Sequence, residues 1–181
     1  MLFNELKQYK IWVKKYHTMK KLCYAYAENI NKYTQFLDIA RKEYNKKADE
    51  IDNLNRKIAK NQNASQTDKL VRQLGKLKKN LTVFDNACDF VQTKLNDTER
   101  MSGLAYRDID HIYEKMNELY EEITNKTSYK ILTKMNKRYV LEQFPRLEKI
   151  NLVKKYTKED YNEFIQEEML RKNKSNLLKV E

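Results

Sequence analysis

Apolar residues recur every seven positions along the first sixty residues of the chain. The series that starts at Leu2 has nine members, all apolar or aromatic: Leu2, Tyr9, Tyr16, Cys23, Ile30, Leu37, Tyr44, Ile51 and Ile58. A second series lies three residues later, from Glu5 to Asn61, and six of its nine members are apolar. Alternating spacings of three and four keep one narrow face of an α-helix turned toward a partner helix. The pattern predicts a long helix packed against another one.

A second heptad stripe, in one register, fills the next part of the chain. Only two of its members, Thr98 and Ser102, are polar. The full stripe is Leu70, Leu74, Leu77, Leu81, Phe84, Cys88, Val91, Leu95, Thr98, Ser102, Ala105, Ile109, Ile112, Met116, Leu119 and Ile123. The polar run 61–68 separates the stripes, and a short connection joins antiparallel neighbours. We therefore predict an all-α fold in which residues 1–125 form a long, coiled-coil-like antiparallel hairpin. The hydroxyls of Ser65 and Thr67 are expected to cap the second helix.

Two features of the second arm bear on its packing. Residues 96–103 concentrate types that favour caps and bends, so the sequence leaves open whether the arm is one helix or two. We expect Gly103 to make room for an aromatic ring across the interface. With the turn centred near Ala64, the facing pairs are Tyr9 with Tyr120, Tyr16 with Tyr113, and Tyr26 with Gly103.

Residues 126–181 form a second region, predicted to be a basic helical segment packed at the base of the hairpin. Ser128 reads as the N-cap of a helix that ends before Pro145. Pro145 is expected to open a short helix at its first position, with three residues inward: Leu147, Ile150 and Val153. The run 157–160 resembles a capping box for a final helix, whose inward residues are Tyr161, Phe164, Ile165 and Met169. Residues 172–181 are polar enough to be frayed.

Lysines gather toward both ends of the chain. Residues 1–24 carry six lysines and one glutamate, residues 25–125 carry 17 basic and 17 acidic side chains, and residues 126–181 carry 14 basic and 8 acidic ones. A hairpin would bring the two basic regions to one end, where they would suit a phosphate backbone, an acidic protein surface or an anionic membrane surface. The candidate contacts are Lys7, Lys10, Lys14, Lys15, Lys20, Lys21, Lys130, Lys134, Lys137, Arg138, Lys154 and Lys155.

Tyrosines are concentrated near the same end. Exposed rings among lysines could stack on nucleic-acid bases. Four tyrosines lie on the heptad face and are better interpreted as core residues whose hydroxyls reach water: Tyr9, Tyr16, Tyr26 and Tyr33. The leading hypothesis is a non-enzymatic protein whose basic, Tyr-rich end docks on nucleic acid or a nucleoprotein complex, as a phage or mobile-element accessory factor. The alternative is a structural or adaptor coiled coil of a virion or other assembly, in which unpaired surface would drive homo-oligomers.

A further alternative comes from a resemblance. The run 95–100, Leu-Asn-Asp-Thr-Glu-Arg, is similar to the break that precedes a terminal helix-turn-helix in phage late-gene activators of the ArpU and RinA type. The resemblance extends over residues 84–144 and implies that 116–123 is the first helix of the pair and 129–138 the reading helix. The connection between them is shorter than in that family, and residues 145–181 have no counterpart there. The resemblance implies that the protein is a transcription regulator of the helix-turn-helix type.

The sequence predicts no catalytic, metal or cofactor site. His17 and His111 are the only histidines, and the run Asp-x-x-His-x-x-Glu around His111 has no second copy, which a di-iron bundle would need. Two lone glycines cannot build a glycine-rich phosphate loop. Cys23 and Cys88 lie on the heptad stripes and are expected to be buried free thiols in a reducing compartment. Since no apolar run approaches the roughly 18 residues of a membrane span, we expect a cytoplasmic protein.

Overall fold

The computed structural model describes residues 2–126 and 143–177, with side chains described for residues 4–126 and 143–171. This part of the chain contains three helices and no strand: α1 (Leu2–Lys60), α2 (Ala64–Asn125) and α3 (Lys158–Leu177). The two long helices pack against each other and α3 contacts α1, so the predicted all-α hairpin is confirmed. Within the described residues, no helix is both long and apolar enough to cross a membrane.

The heptad stripes form the contact between α1 and α2. None of the stripe positions whose side chains are described is exposed to solvent. Those buried most deeply include Tyr9, Tyr16 and Cys23 from α1 and Val91 and Ile109 from α2. Unbroken seven-residue spacing keeps these side chains on one face for the whole length of each helix, so the two helices stay in contact along that face.

The turn between the long helices is shorter than the predicted run. Residues 61–63 connect α1 to α2, and the side-chain Oδ1 of Asn63 accepts hydrogen bonds from the backbone N–H groups of Ser65 (3.1 Å) and Gln66 (3.3 Å). The expectation that Ser65 and Thr67 cap α2 is therefore wrong. Both lie inside the helix, where the Thr67 hydroxyl donates to the backbone carbonyl of Asn63 (2.9 Å). Asn63 directly precedes the first helical residue, where an N-cap must stand.

The polar stretch in the second arm does not interrupt it. α2 is continuous from Ala64 to Asn125, so the arm is one helix. The role expected for Gly103 is wrong: a Cβ built on it would meet nothing within 4 Å. Gly103 is exposed, and the small residues buried against α1 at this level are Ser102 and Ala105.

Contacts divide the chain into two compact units. Unit 1 contains residues 1–29 and 98–152, and unit 2 contains residues 30–97 and 153–181. Both units draw on α1 and α2. Each unit also takes part of the C-terminal segment 126–181. Each unit has its own hydrophobic cluster.

Unit 1 holds the heptad core around Tyr9 and Tyr16. The expected facing pair Tyr9 and Tyr120 is present, since their rings lie 6.3 Å apart. Tyr113 packs on the cluster that contains Tyr16. The segment 144–150 covers one side of this core: Phe144 lies 5.7 Å from the Tyr16 ring, and the Tyr106 hydroxyl accepts a hydrogen bond from the backbone N–H of Ile150 (2.9 Å).

That segment is not the short helix expected after Pro145. Residues 143–157 are irregular, and Tyr16 and Tyr106 satisfy backbone groups that a helix would have paired internally. Leu147 and Ile150 do pack on the core, as expected. Val153 does not, with 86% of its surface exposed.

Unit 2 is organised around Phe36. Its ring lies 5.7 Å from Tyr161 and 5.2 Å from Phe164, both on α3, so this helix packs beside the middle of α1. Gln35 fixes the chain that leads into α3: its Nε2 donates to the carbonyl of Lys154 (2.7 Å) and its Oε1 accepts from the N–H of Tyr156 (2.9 Å). One side-chain amide thus pairs two backbone groups of an irregular segment.

The predicted capping box at the start of α3 is confirmed. The Thr157 hydroxyl accepts a hydrogen bond from the backbone N–H of Asp160 (3.2 Å), and the Asp160 carboxylate accepts one from the N–H of Thr157 (2.7 Å). Of the predicted inward residues, Tyr161, Phe164 and Ile165 pack on the core, but Met169 is half exposed. The helix expected to follow Ser128 lies outside the described residues, as do the side chains of 172–181.

Candidate nucleic-acid interface

Four of the predicted lysines form a row on the outward side of α1 in unit 1. Lys7, Lys14 and Lys21 repeat every seven residues, and Lys10 lies one helical turn from its neighbours in the row. All four are exposed. At a rise of about 1.5 Å per residue, the row extends over about 21 Å. We call these four residues the lysine row.

Three members of the lysine row are unpaired. Lys10, Lys14 and Lys21 form no ion pair with any residue that the structure describes. Their side chains are exposed to solvent. By contrast, Lys126 near the end of α2 is held by Glu5 at 3.0 Å.

The other two lysines of this part of α1 point elsewhere. The Lys15 ammonium lies 4.3 Å from the centroid of the Trp12 ring, a distance suited to a cation–π contact. Lys20 is half-buried, and its position along the helix puts it on the side of the core opposite Lys15. The six lysines predicted together thus divide among three sides of α1.

Two of the predicted C-terminal lysines lie within the described residues. Lys154 and Lys155 belong to unit 2, where the Lys154 backbone carbonyl accepts hydrogen bonds from Asn31 (2.8 Å) and Gln35. The Lys154 ammonium lies 5.0 Å from the Tyr156 ring. The other predicted contacts lie outside the described residues: Lys130, Lys134, Lys137 and Arg138.

The partner helix of the lysine row is acidic. Between Thr98 and Asn125, α2 carries seven carboxylates against three basic side chains, whereas residues 4–29 of α1 carry six lysines against two glutamates. The sequence prediction of a basic end counted charges over residues 25–125 as one neutral block. That average concealed the acidic stretch of α2. Arg146 offsets part of the acid charge through Asp110 (2.9 Å) and Glu114 (3.4 Å). A separate count of charges over residues 98–125 would have revealed this acidic stretch from the sequence.

Most tyrosines of unit 1 serve the core. Tyr9 and Tyr16 are buried, and burial raises the pKa of the Tyr16 hydroxyl above its ordinary value. In unit 2, Tyr33 packs against Phe164, and burial raises its pKa as well. Tyr24 differs, because it is 45% exposed and lies on α1 within a turn of Lys21. It is the ring best placed to stack on a base beside the lysine row.

The remaining chemistry-bearing residues are engaged in packing. His17 lies 5.4 Å from the Phe144 ring and His111 lies 6.4 Å from Trp12. No group of three or more metal-ligating side chains occurs in residues 4–126 and 143–171. Burial raises the pKa of the Cys23 and Cys88 thiols, which disfavours the reactive thiolate.

Comparisons of the chain with protein-family models, with curated proteins and with solved structures gave no match. Residues 116–123, which the resemblance to phage activators assigns to the first helix of a pair, are the end of α2. The reading helix that it implies, 129–138, lies outside the described residues. The geometry of unit 1 is therefore the basis for a functional proposal.

Proposed function

We propose that this protein is a non-enzymatic binding protein that docks on nucleic acid through the lysine row of α1. The observation that carries the proposal is that Lys10, Lys14 and Lys21 are exposed, aligned on one side of a single helix, and without an ion pair to any described residue. Each strand of a duplex carries one phosphate per about 3.4 Å of helix axis, so a straight row about 21 Å long spans several of them.

The acidic half of α2 supports an oriented encounter. A polyanion is attracted to the outward side of α1 and repelled by the carboxylates on α2 in the same unit, so the field favours one approach direction. Binding would thus depend on the lysine row and not on the net charge of +11. Contacts to phosphates from lysine carry no base information, and we expect little sequence preference.

The test is a titration of fluorescent oligonucleotides, duplex and single-stranded, over a range of about 50 to 200 mM salt. Each neutralised phosphate contributes about 0.9 to the slope of log K against log salt on duplex and about 0.7 on a single strand. The triple variant Lys10→Gln, Lys14→Gln, Lys21→Gln is expected to lose about 2.7 from the duplex slope. A selective loss on single strands for Tyr24→Ala would assign base stacking to that ring.

The chain offers a matched control with the same change in charge. Lys76, Lys78 and Lys79 are exposed on α2 in unit 2, and the variant with all three changed to Gln should retain the wild-type slope. Equal losses in both triple variants would mean that binding follows total charge, which contradicts the proposal. Absence of binding at about 50 mM salt would contradict it too, and would favour an acidic protein surface as the ligand.

A further inference from the structure

The two sides of the helix pair in unit 1 are covered unequally. On one side, the segment 144–150 packs on the pair: Phe144 lies 5.7 Å from the Tyr16 ring of α1, and the N–H of Ile150 donates to the Tyr106 hydroxyl of α2. On the other side, the flanking positions Leu22 of α1 and Met101 of α2 are each 40% exposed. We call this second side the open side.

The open side has an apolar floor. A groove of about 410 Å³ lies between the two helices, and its walls include Ile11, Met19 and Ile112. Ile11 is 53% exposed and Leu104, farther along the same side of α2, is 41% exposed. Scattered apolar residues on a surface are ordinary, but a row of them along a groove marks an interaction site.

Opposite charges edge this groove. On the α1 edge stand Lys14 and Lys15. On the α2 edge the heptad register places two carboxylates, Asp108 and Glu118, and one ammonium group, Lys115, so this edge is net negative. Lys14 and Asp108 have no ion-pair partner among the described residues, and Glu118 pairs only with Lys115 of its own helix (2.8 Å). The charges on the two edges thus do not neutralise each other within one copy.

We propose that the open side is an interface between two copies of this chain, with α1 of each copy lying across α2 of the other. A two-fold axis then brings the lysine edge of each copy to the carboxylate edge of its partner, and both contacts are made at once. Laying α1 on α1 would oppose lysine to lysine, which like-charge repulsion disfavours. The apolar floors close on each other in the same step.

This pairing does not depend on nucleic-acid binding. It uses the side of α1 that carries Trp12, Lys15 and Met19, which is distinct from the outward side that carries Lys7 and Lys21. The lysine row would stay accessible in each copy, except for Lys14 at the margin of both surfaces. A dimer would present two rows.

The first experiment measures the mass of the nuclease-treated full chain by sedimentation over a wide range of concentration. The wild type is expected to dimerise as concentration rises. Ile11→Lys and Leu22→Lys should each raise the dimer dissociation constant at least about tenfold, because a charge would be buried in the apolar floor. Val71→Lys is the control, since Val71 is 49% exposed on α2 in unit 2. These exposed positions can take lysine without loss of the fold, which circular dichroism checks.

The second experiment tests the pairing of charges. One variant carries Lys14→Glu and Lys15→Glu, and the other carries Asp108→Lys and Glu118→Lys. Each alone should dimerise at least about tenfold more weakly than the wild type, because both edges then carry the same sign, whereas an equimolar mixture should form the heterodimer. A monomeric wild type, equal dimerisation of the Ile11 and Val71 variants, or a mixture that stays monomeric would each overturn the proposal.

Discussion

The hydroxyl of Tyr16 donates a hydrogen bond of 2.9 Å to the backbone carbonyl of Pro145, across 129 positions of the chain. Tyr16 belongs to the heptad stripe, and its ring fills the core of unit 1 while its hydroxyl holds the irregular segment on the hairpin. Phe144 packs on the same ring. One stripe residue therefore serves two contacts, and only the first of them is visible in the sequence pattern.

Replacing Tyr16 with Phe separates these two contacts. The ring and its packing remain, but the Pro145 carbonyl loses its donor, so the free energy of unfolding should fall by about 1 kcal/mol. Urea denaturation followed by circular dichroism measures the change. Tyr24→Phe is the control, because the exposed Tyr24 hydroxyl has no hydrogen-bond partner in the described part of the chain. An equal effect of both variants would show that the contact contributes nothing.

Local periodicity explains why the hairpin could be predicted. Seven-residue spacing is a property of neighbouring residues, and it fixes the inward face of a helix wherever the partner lies. Leu37, Ile51 and Ile109 are buried as their positions in the stripes require. The capping box at Thr157 could be found for the same reason, since both of its residues lie within one helical turn.

The features that the sequence did not reveal depend on distant contacts. Pro145 could open a helix by its local chemistry, but the backbone of the segment that follows is paired by Tyr106 and Gln35, each far away along the chain. Gly103 was expected to make room for an aromatic ring of α1. Whether it faces α1 depends on how the two helices align, and the space around it is open. The acidic half of α2 went unrecognised because the charge was averaged over residues 25–125.

The N-cap of α2 can be tested by two neighbouring substitutions. Asn63→Ala removes the side-chain oxygen that accepts hydrogen bonds from Ser65 and Gln66, and should lower the free energy of unfolding by about 1 kcal/mol. Ser65→Ala should be almost neutral, because the Ser65 side chain is exposed and lies inside the helix. Urea denaturation compares them. A larger loss for Ser65→Ala would reverse the assignment of the cap.

Phe36 should be the most costly single truncation in unit 2. Its fully buried ring contacts Tyr156, Tyr161 and Phe164, so Phe36→Ala should lower the free energy of unfolding by about 3 to 5 kcal/mol. Hydrogen exchange should accelerate in residues 158–171 more than in residues 105–123, because α3 loses its main anchor. Val71→Ala serves as the control, since its side chain is half exposed. Unchanged protection of α3 would mean that other contacts suffice to hold it.

The contact between Glu43 and Lys158 should make the stability of unit 2 depend on pH. The Lys158 ammonium donates to the Glu43 carboxylate (2.6 Å), and this hydrogen bond holds the pKa of Glu43 below its ordinary value. Because the folded pKa lies below the unfolded one, the contribution to stability is complete above the unfolded value, about 4.3, and is lost as the pH falls through the folded pKa.

Glu43→Gln should therefore destabilise the protein at pH 7 and have little effect once the wild-type carboxyl is protonated. The pair lies at the surface, so the loss at pH 7 should stay below about 1 kcal/mol and shrink in high salt. Urea denaturation of wild type and variant at a series of pH values measures the difference. Asp49→Asn is the control, since Asp49 is exposed and has no ion-pair partner in the described residues. A difference between wild type and Glu43→Gln that stayed constant as the pH fell would show that Lys158 does not stabilise α3 through this carboxylate.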